Sequence, residues 1–286
     1  MCLILFAYRF HPGYELLLAG NRDEYYDRPT APMAFWEDAP DLLAGRDLAA
    51  GGTWFGVTRN GRFAAITNYR DPSKLRPDAP SRGPLVSDYL RGRESAREYL
   101  QHLLPRAAVY NGFNLLLGDA EGLYYYSNQG GAPRALEPGL YGLSNHLLST
   151  PWPKVERGIK GLAGLLREAT EPDAAALLRL LEDRRHAPDH LLPNTGVDLE
   201  WERLLSPLFI ESPSYGTRSS TVLRINRQGW IEVAEKSWPE GSIRTFCHGE
   251  PGPGQCMGFD STQKPQQYCT QHSMTTIVAV HAARNT

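Results

Sequence analysis

An α+β fold of stacked layers is what the 286-residue sequence predicts, and three observations carry that prediction. Strand-like and helix-like runs come in blocks (strands, helices, strands, helices, strands) instead of the strict β-α-β alternation of a parallel sheet. The first two apolar runs are apolar nearly throughout, as strands covered on both faces are. Between residues 51 and 70 an Asn-Gly pair separates two further strand-like runs, a strong short-range signal for an antiparallel hairpin.

Residues 2–10 and 14–20 read as two paired strands joined at the turn signal His11-Pro12-Gly13. Residues 2 and 22 are nearly equidistant from that turn, so antiparallel pairing returns 21–24 to the side of residue 2. Residues 51–68 form the second hairpin, and Asn60-Gly61 predicts a type I′ turn, in which both central residues take positive φ. The stretch 71–84 is rich in Pro, Ser and charge and reads as a long surface loop. Residues 85–104 space their apolar side chains three or four apart, which predicts two short helices broken near Gly92. Strands follow at 112–119, 122–128 and 139–145, then amphipathic helices at 153–169 and 172–184 with Pro153 and Pro172 near their starts. A last strand pair, 217–226 and 230–238, turns at Arg227-Gln228-Gly229. Beyond Trp238 the composition shifts to Gly, Pro, Gln, Ser, Thr, His and Cys. The expected layout is one domain over 1–240 and a divergent, poorly ordered tail over 241–286, in which TIVAV alone is strand-like.

A net charge of −2 gives no electrostatic footprint for nucleic acid, and no apolar run reaches the ~20 residues of a membrane helix. The opening lacks a basic leader and a small-residue cleavage site, so the expected location is the cytoplasm, with no integral membrane segment. The tail groups Cys247, His248, Cys256, Cys269 and His272, but their spacing matches no common zinc site, and no metal is expected.

Cys2 is the one cysteine outside that tail. If Met1 is removed, its own α-amine, of pKa about 7.7–8.0, can act as the base that activates its thiol, so nucleophile and base come from one residue. The tetrad Asn21-Arg22-Asp23-Glu24 supplies suitable neighbours: a guanidinium lowers a thiol pKa, and a carboxylate can hold an α-ammonium or an arginine. Adjacent strand residues face opposite sides, so only one of Arg22 and Asp23 can face Cys2 unless a bulge intervenes. Each feature also has a purely structural reading: Cys2 as a small buried hydrophobe, the tetrad as a strand-end ion pair, Asn68 and Asn145 as turn residues, Trp54 and Phe55 as core.

Cys2, the NRDE tetrad, GGTWFGV at 51–57, ITNYRDP at 66–72 and SNHLLSTPWPKVERG at 144–158 together resemble the NRDE family, also called the transport and Golgi organisation protein 2 family, over roughly the first 240 residues. The resemblance implies the four-layer αββα sandwich of N-terminal nucleophile hydrolases. It further implies Cys2 as nucleophile, Arg22 and Asp23 as its electrostatic partners, Asn68 and Asn145 as donors near an oxyanion, and Arg218 as a late cation, for a small amide or acylated substrate. It equally implies a second class, a non-catalytic carrier or trafficking factor with haem or lipid as cargo and no resident cofactor. For haem, Cys2, His11 and His146 are the axial ligand candidates.

Overall fold

The computed structural model describes residues 2–249. One antiparallel sheet holds six strands in the order β10 (Gly139–Leu143), β1 (Cys2–Tyr8), β2 (Tyr14–Tyr25), β11 (Tyr215–Asn226), β12 (Ile231–Ser237) and β13 (Ile243–His248). The second holds seven: β3 (Thr30–Trp36), β4 (Ala39–Asp47), β5 (Phe55–Thr58), β6 (Phe63–Asn68), β7 (Phe113–Asp119), β8 (Gly122–Ser127) and β9 (Arg134–Ala135). The helices are α1 (Pro84–Arg91), α2 (Ala96–Leu103), α3 (Pro153–Glu168), α4 (Ala174–Leu180) and the short α5 (Leu199–Leu204).

The pleat sorts side chains into three apolar layers. Ile4, Phe6 and Tyr8 of β1 meet Phe55, Phe63 and Leu116 of the other sheet, while Leu3, Leu5 and Ala7 face Val155 and Leu162 of α3 and Leu177 of α4. On the far side, Ala64, Leu115, Leu117 and Tyr126 pack under Leu85, Tyr89 and Leu100 of α1 and α2. The result is a four-layer αββα sandwich. Because both sheets are covered on both faces, their central strands are continuously apolar, as the sequence displays. No helix among the described residues is long and apolar enough to cross a membrane.

The two short helices divide where expected. Gly92 ends α1, and a reciprocal Ser95–Glu98 capping box starts α2. The hairpin at 55–68 also forms, but its turn differs from the type I′ expected. Gly61 takes a φ of 82° while Asn60 does not, and Gly61 N–H donates to Thr58 O at 2.9 Å with Thr58 N–H reaching Arg62 O at 2.8 Å. This is a three-residue loop, a type I turn followed by one left-handed glycine, and the Thr58 hydroxyl holds it by bonding Arg62 O. Strands β3 and β4 escaped the sequence reading because Pro32 and Pro40 demote them; β3 tolerates Pro32 as a bulged edge strand. Helix α4 is shorter than 172–184, starting after its Asp173 cap. The sheet runs one strand past residue 240, since β13 pairs with β12. TIVAV, Cys256, Cys269 and His272 lie outside the described residues.

The GGTWFG segment approaches the start of α1 so closely that a Cβ on Gly52 would lie 2.5 Å from the backbone carbonyl carbon of Gly83. Gly52→Ala is therefore expected to destabilise by about 1–3 kcal/mol through forced backbone movement, read as a lower urea midpoint at unchanged m-value.

Candidate functional site

Strand β1 pairs with β2 so that Cys2 lies opposite Arg22, as the hairpin arithmetic requires. On its other side β1 pairs with β10 through Ile4 opposite Leu143; counting on two positions in that register brings Asn145 level with residue 2. Cys2 and Arg22 are thus paired directly, and Asn145 follows two residues after the last pair of the β1–β10 ladder.

The four polar residues that end β2 each serve a different neighbour. Asn21 faces the helix layer, donating from Nδ2 to the carbonyls of Leu181 (2.9 Å) and Leu208 (2.8 Å) and accepting from Ser220 Oγ. Arg22 faces the space between the sheets and stacks on Trp54, its guanidinium carbon 4.1 Å from the ring centroid. Asp23 points back to the helix layer, where Thr217 Oγ1 donates to it at 2.7 Å; burial pushes its carboxyl up, opposed by the nearby Lys154 ammonium. Glu24, at the rim, lies 3.9 Å from Arg28.

Arg22 and Asp23 therefore face opposite sides, with no bulge in β2 to unite them. The bulge lies instead in β11: Thr217 pairs with Asp23 and Ser219 with Arg22, leaving Arg218 as the extra residue. This insertion puts Thr217 and Ser219, two apart in sequence, on opposite faces. Arg218 is turned to the strand edge, where its Nη1 donates to the carbonyls of Tyr25, Tyr26 and Arg28.

Arg22, Trp54, Arg218 and Ser219 line a cleft of about 290 Å³ between β3 and the strands β11, β12 and β13. Glu235 of β12 also lines it, with Oε1 accepting from Met33 N–H at 2.7 Å; burial raises its pKa. Arg244 of β13 sits directly across the ladder from Glu235.

A second polar group lies on the β6–β10 side. Asn145 is fully buried and donates from Nδ2 to Asn68 O at 3.0 Å. Its own carbonyl accepts Arg70 N–H at 2.7 Å. Arg70 Nη1 is 2.8 Å from Glu202 Oε2, both side chains are 5% or less exposed, and Glu202 also accepts from Thr195 N–H and Oγ1. Burial lowers the pKa of Arg70. Asn68, Asn145 and Arg70 thus form one group, Arg22 and Arg218 another across the strand ends, and Asp23 faces the helix layer behind them. The Cys2 side chain lies outside what is described.

The histidines named as haem ligands have both ring nitrogens engaged. His11 Nδ1 accepts from Gly13 N–H and Nε2 donates to Ala169 O. Thr150 Oγ1 donates to Leu147 O, so His146 Nδ1–H donates to Thr150, and His146 Nε2 accepts from Tyr69 OH at 2.7 Å. Burial lowers the His146 pKa, in keeping with this neutral form. Among the described residues no group of three or more His, Cys, Asp or Glu is placed to hold a metal ion.

Sequence reasoning missed Arg70, Lys154, Glu202 and Glu235. Arg70 and Lys154 stand inside ITNYRDP and the 144–158 motif, so the signal was present; a lysine 3% exposed at the start of α3 is the kind of buried charge a functional region holds. Glu202 and Glu235 sit in helix and strand patterns that read as solvent-facing.

Residues 1–240 match the family described as Transport and Golgi organisation 2. The chain is 35% identical to the human Transport and Golgi organization protein 2 homolog and 34% to that of Mus musculus, in each case over 83% of this chain and 93% of the relative, and 29% identical to the Drosophila melanogaster protein. Among solved structures it is similar to a Caenorhabditis elegans N-acylethanolamine-hydrolyzing acid amidase ortholog (TM-score 0.44, 11% identity, 78% of this chain and 92% of that one). It is also similar to a mutant conjugated bile acid hydrolase from Clostridium perfringens (TM-score 0.43, 9% identity, 86% and 92%). The chain belongs to the Transport and Golgi organisation 2 family.

Proposed function

We propose that this member of the family is a cysteine amidohydrolase that cleaves a small amide or acylated substrate with Cys2 as nucleophile. The observation that supports it best is the backbone register, which pairs Cys2 with Arg22 and pairs Ile4 with Leu143, two residues before Asn145. Once Met1 is removed, the Cys2 α-amine takes the thiol proton and the thiolate attacks the amide carbon. Arg22 favours the thiolate electrostatically. Asn145 Nδ2 has one N–H on Asn68 O, and its second is the donor assigned to the developing oxyanion, with Asn68 beside it. The tetrahedral adduct collapses, the leaving amine takes the proton from the α-ammonium, and a thioester remains. Water then attacks that thioester, giving a carboxylic acid and restoring the thiol. Asp23, one residue past Arg22, holds the α-ammonium from the helix side, and Arg218 fixes the outer wall of the cleft. The setting is cytoplasmic.

Intact mass of the full chain should lack the initiator methionine. Iodoacetamide with peptide mapping should alkylate Cys2 at neutral pH at least about tenfold faster than a free cysteine thiol of pKa about 8.5, because more of it is thiolate. Cys2→Ala should remove that label and leave the urea midpoint unchanged. A retained Met1, or a Cys2 no faster than free cysteine, would sink the amidohydrolase reading and leave the carrier of lipid or haem cargo, with Cys2 as the remaining axial candidate.

A further inference from the structure

We propose that the cleft between β3 and the β11–β13 edge binds the carboxylate of a small organic acid, holding it between Arg218 and Arg244 with the Ser219 hydroxyl donating to it. The proposal holds whether or not Cys2 turns over a substrate.

Three features of the cleft carry it. Ser219 lines the cleft and is 6% exposed, and its buried Oγ has no hydrogen-bond partner among the described residues. A buried hydroxyl of that kind costs stability unless something accepts from it, so an unmet hydroxyl on a residue of the cleft wall points to an acceptor supplied by a ligand. Arg244 makes no side-chain hydrogen bond or ion pair among the described residues, although it lies opposite Glu235 in the ladder. Arg218 is fixed by the three carbonyls that Nη1 reaches, so the rest of its planar fork is held in place instead of sweeping through solvent. A preorganised guanidinium loses little entropy on taking a ligand.

Charge selects the ligand class. The lining side chains include Arg22, Arg218 and Arg244 against Glu235 and Glu240, a formal excess of one positive charge. A monoanion neutralises that excess, whereas a phosphate dianion would leave a negative charge against the buried Glu235. The carboxylate also matches the guanidinium fork bidentately. Trp54 and Trp238 line the same cleft and supply flat apolar walls for the short organic part that a volume of about 290 Å³ admits.

The tryptophans make the cleft its own reporter. Full-length Cys2→Ala protein, which cannot turn over an amide, is titrated with N-acetylglycine, with its neutral isostere N-acetylglycinamide, and with inorganic phosphate, following tryptophan emission. Saturable quenching by N-acetylglycine is expected, lost in Trp238→Phe, with no saturation by the neutral amide and weaker binding of phosphate. Arg244→Gln should weaken N-acetylglycine by about tenfold or more, the loss of one charge-assisted contact, and Arg244→Lys should recover part of it. Arg244 lies on an edge strand, and unchanged circular dichroism will show that the variant folds. No saturable carboxylate binding, equal binding of the neutral amide, tighter binding of phosphate, or an Arg244→Gln curve that overlays the parent would each overturn the proposal. Because the thiol is absent throughout, these outcomes are independent of whether Cys2 is a nucleophile.

Discussion

Arg70→Ala is expected to cost about 3–5 kcal/mol of stability, as breaking a buried ion pair does. Arg70 and Glu202 are each almost wholly removed from solvent, and the pair joins α5 to the strand end after β6. The Glu202 carboxylate is well satisfied, with Thr195 donating two hydrogen bonds to one oxygen and Arg70 contacting the other. Removing the guanidinium leaves that charge buried without its cation, and empties the space where Arg70 stacks on Trp152, 4.9 Å from the ring centroid. A domain of ordinary stability holds only about 5–15 kcal/mol, so the variant should unfold at a much lower urea concentration. Adding Glu202→Gln should restore part of the loss, because a neutral amide no longer needs the cation. A single variant within about 1 kcal/mol of the parent would show that water reaches Glu202 and that the pair is not buried in solution. The Arg70 backbone N–H that donates to Asn145 O survives this substitution, and only the 3.5 Å contact from Nη2 to Asn145 Oδ1 is lost with the side chain.

Much of this architecture could be read from the chain because the relevant signals are local. Continuous apolar runs mark strands covered on both faces, and the Ser95–Glu98 spacing marks a helix start whose cap forms as written. The turn at Asn60-Gly61 shows the limit of that reading. The dipeptide predicts a hairpin, but whether two or three residues make the loop depends on which backbone groups the Thr58 side chain holds, and that is decided by the strands on either side. Prolines misled in the other direction, because Pro32 is permitted by the edge position and the bulge of β3, properties of sheet order and pairing and not of sequence. For the site, alternation correctly separates Arg22 from Asp23, yet nothing in TRSS announces that Arg218 is bulged. That single insertion sets which side each neighbouring hydroxyl faces, so the cleft and the Asp23 environment were both illegible before the pairing of β11 was known. Buried carboxylates such as Glu202, paired with Arg70, and Glu235, which accepts from Met33 N–H, look like surface residues until their partners are found.

The buried pair Arg224–Glu232 should respond to mutation as strongly as Arg70–Glu202, and it separates stability from the site. Arg224 reaches Glu232 with both Nε and Nη2, and donates from Nη1 to Tyr14 OH at 3.1 Å and Pro172 O at 2.9 Å. Glu232→Leu leaves the guanidinium buried with only neutral acceptors, and is expected to cost about 3–5 kcal/mol. The double variant Arg224→Met with Glu232→Leu removes both charges and fills their volume with apolar groups, so it should lie within about 1–2 kcal/mol of the parent. Its coupling energy, read from four urea curves, should then be about 2 kcal/mol or more. Arg224 stands five residues along β11 from Ser219, a separation of about 17 Å at strand rise, so neither variant should alter the N-acetylglycine titration of the cleft. If the double variant is as unstable as the single, removing the stranded charge gains no more than losing the Tyr14 and Pro172 hydrogen bonds costs, and the charge is not the dominant contribution. If instead the titration weakens with stability, the cleft is not an independent part of the β11 edge, and its geometry depends on the packing of the whole sheet.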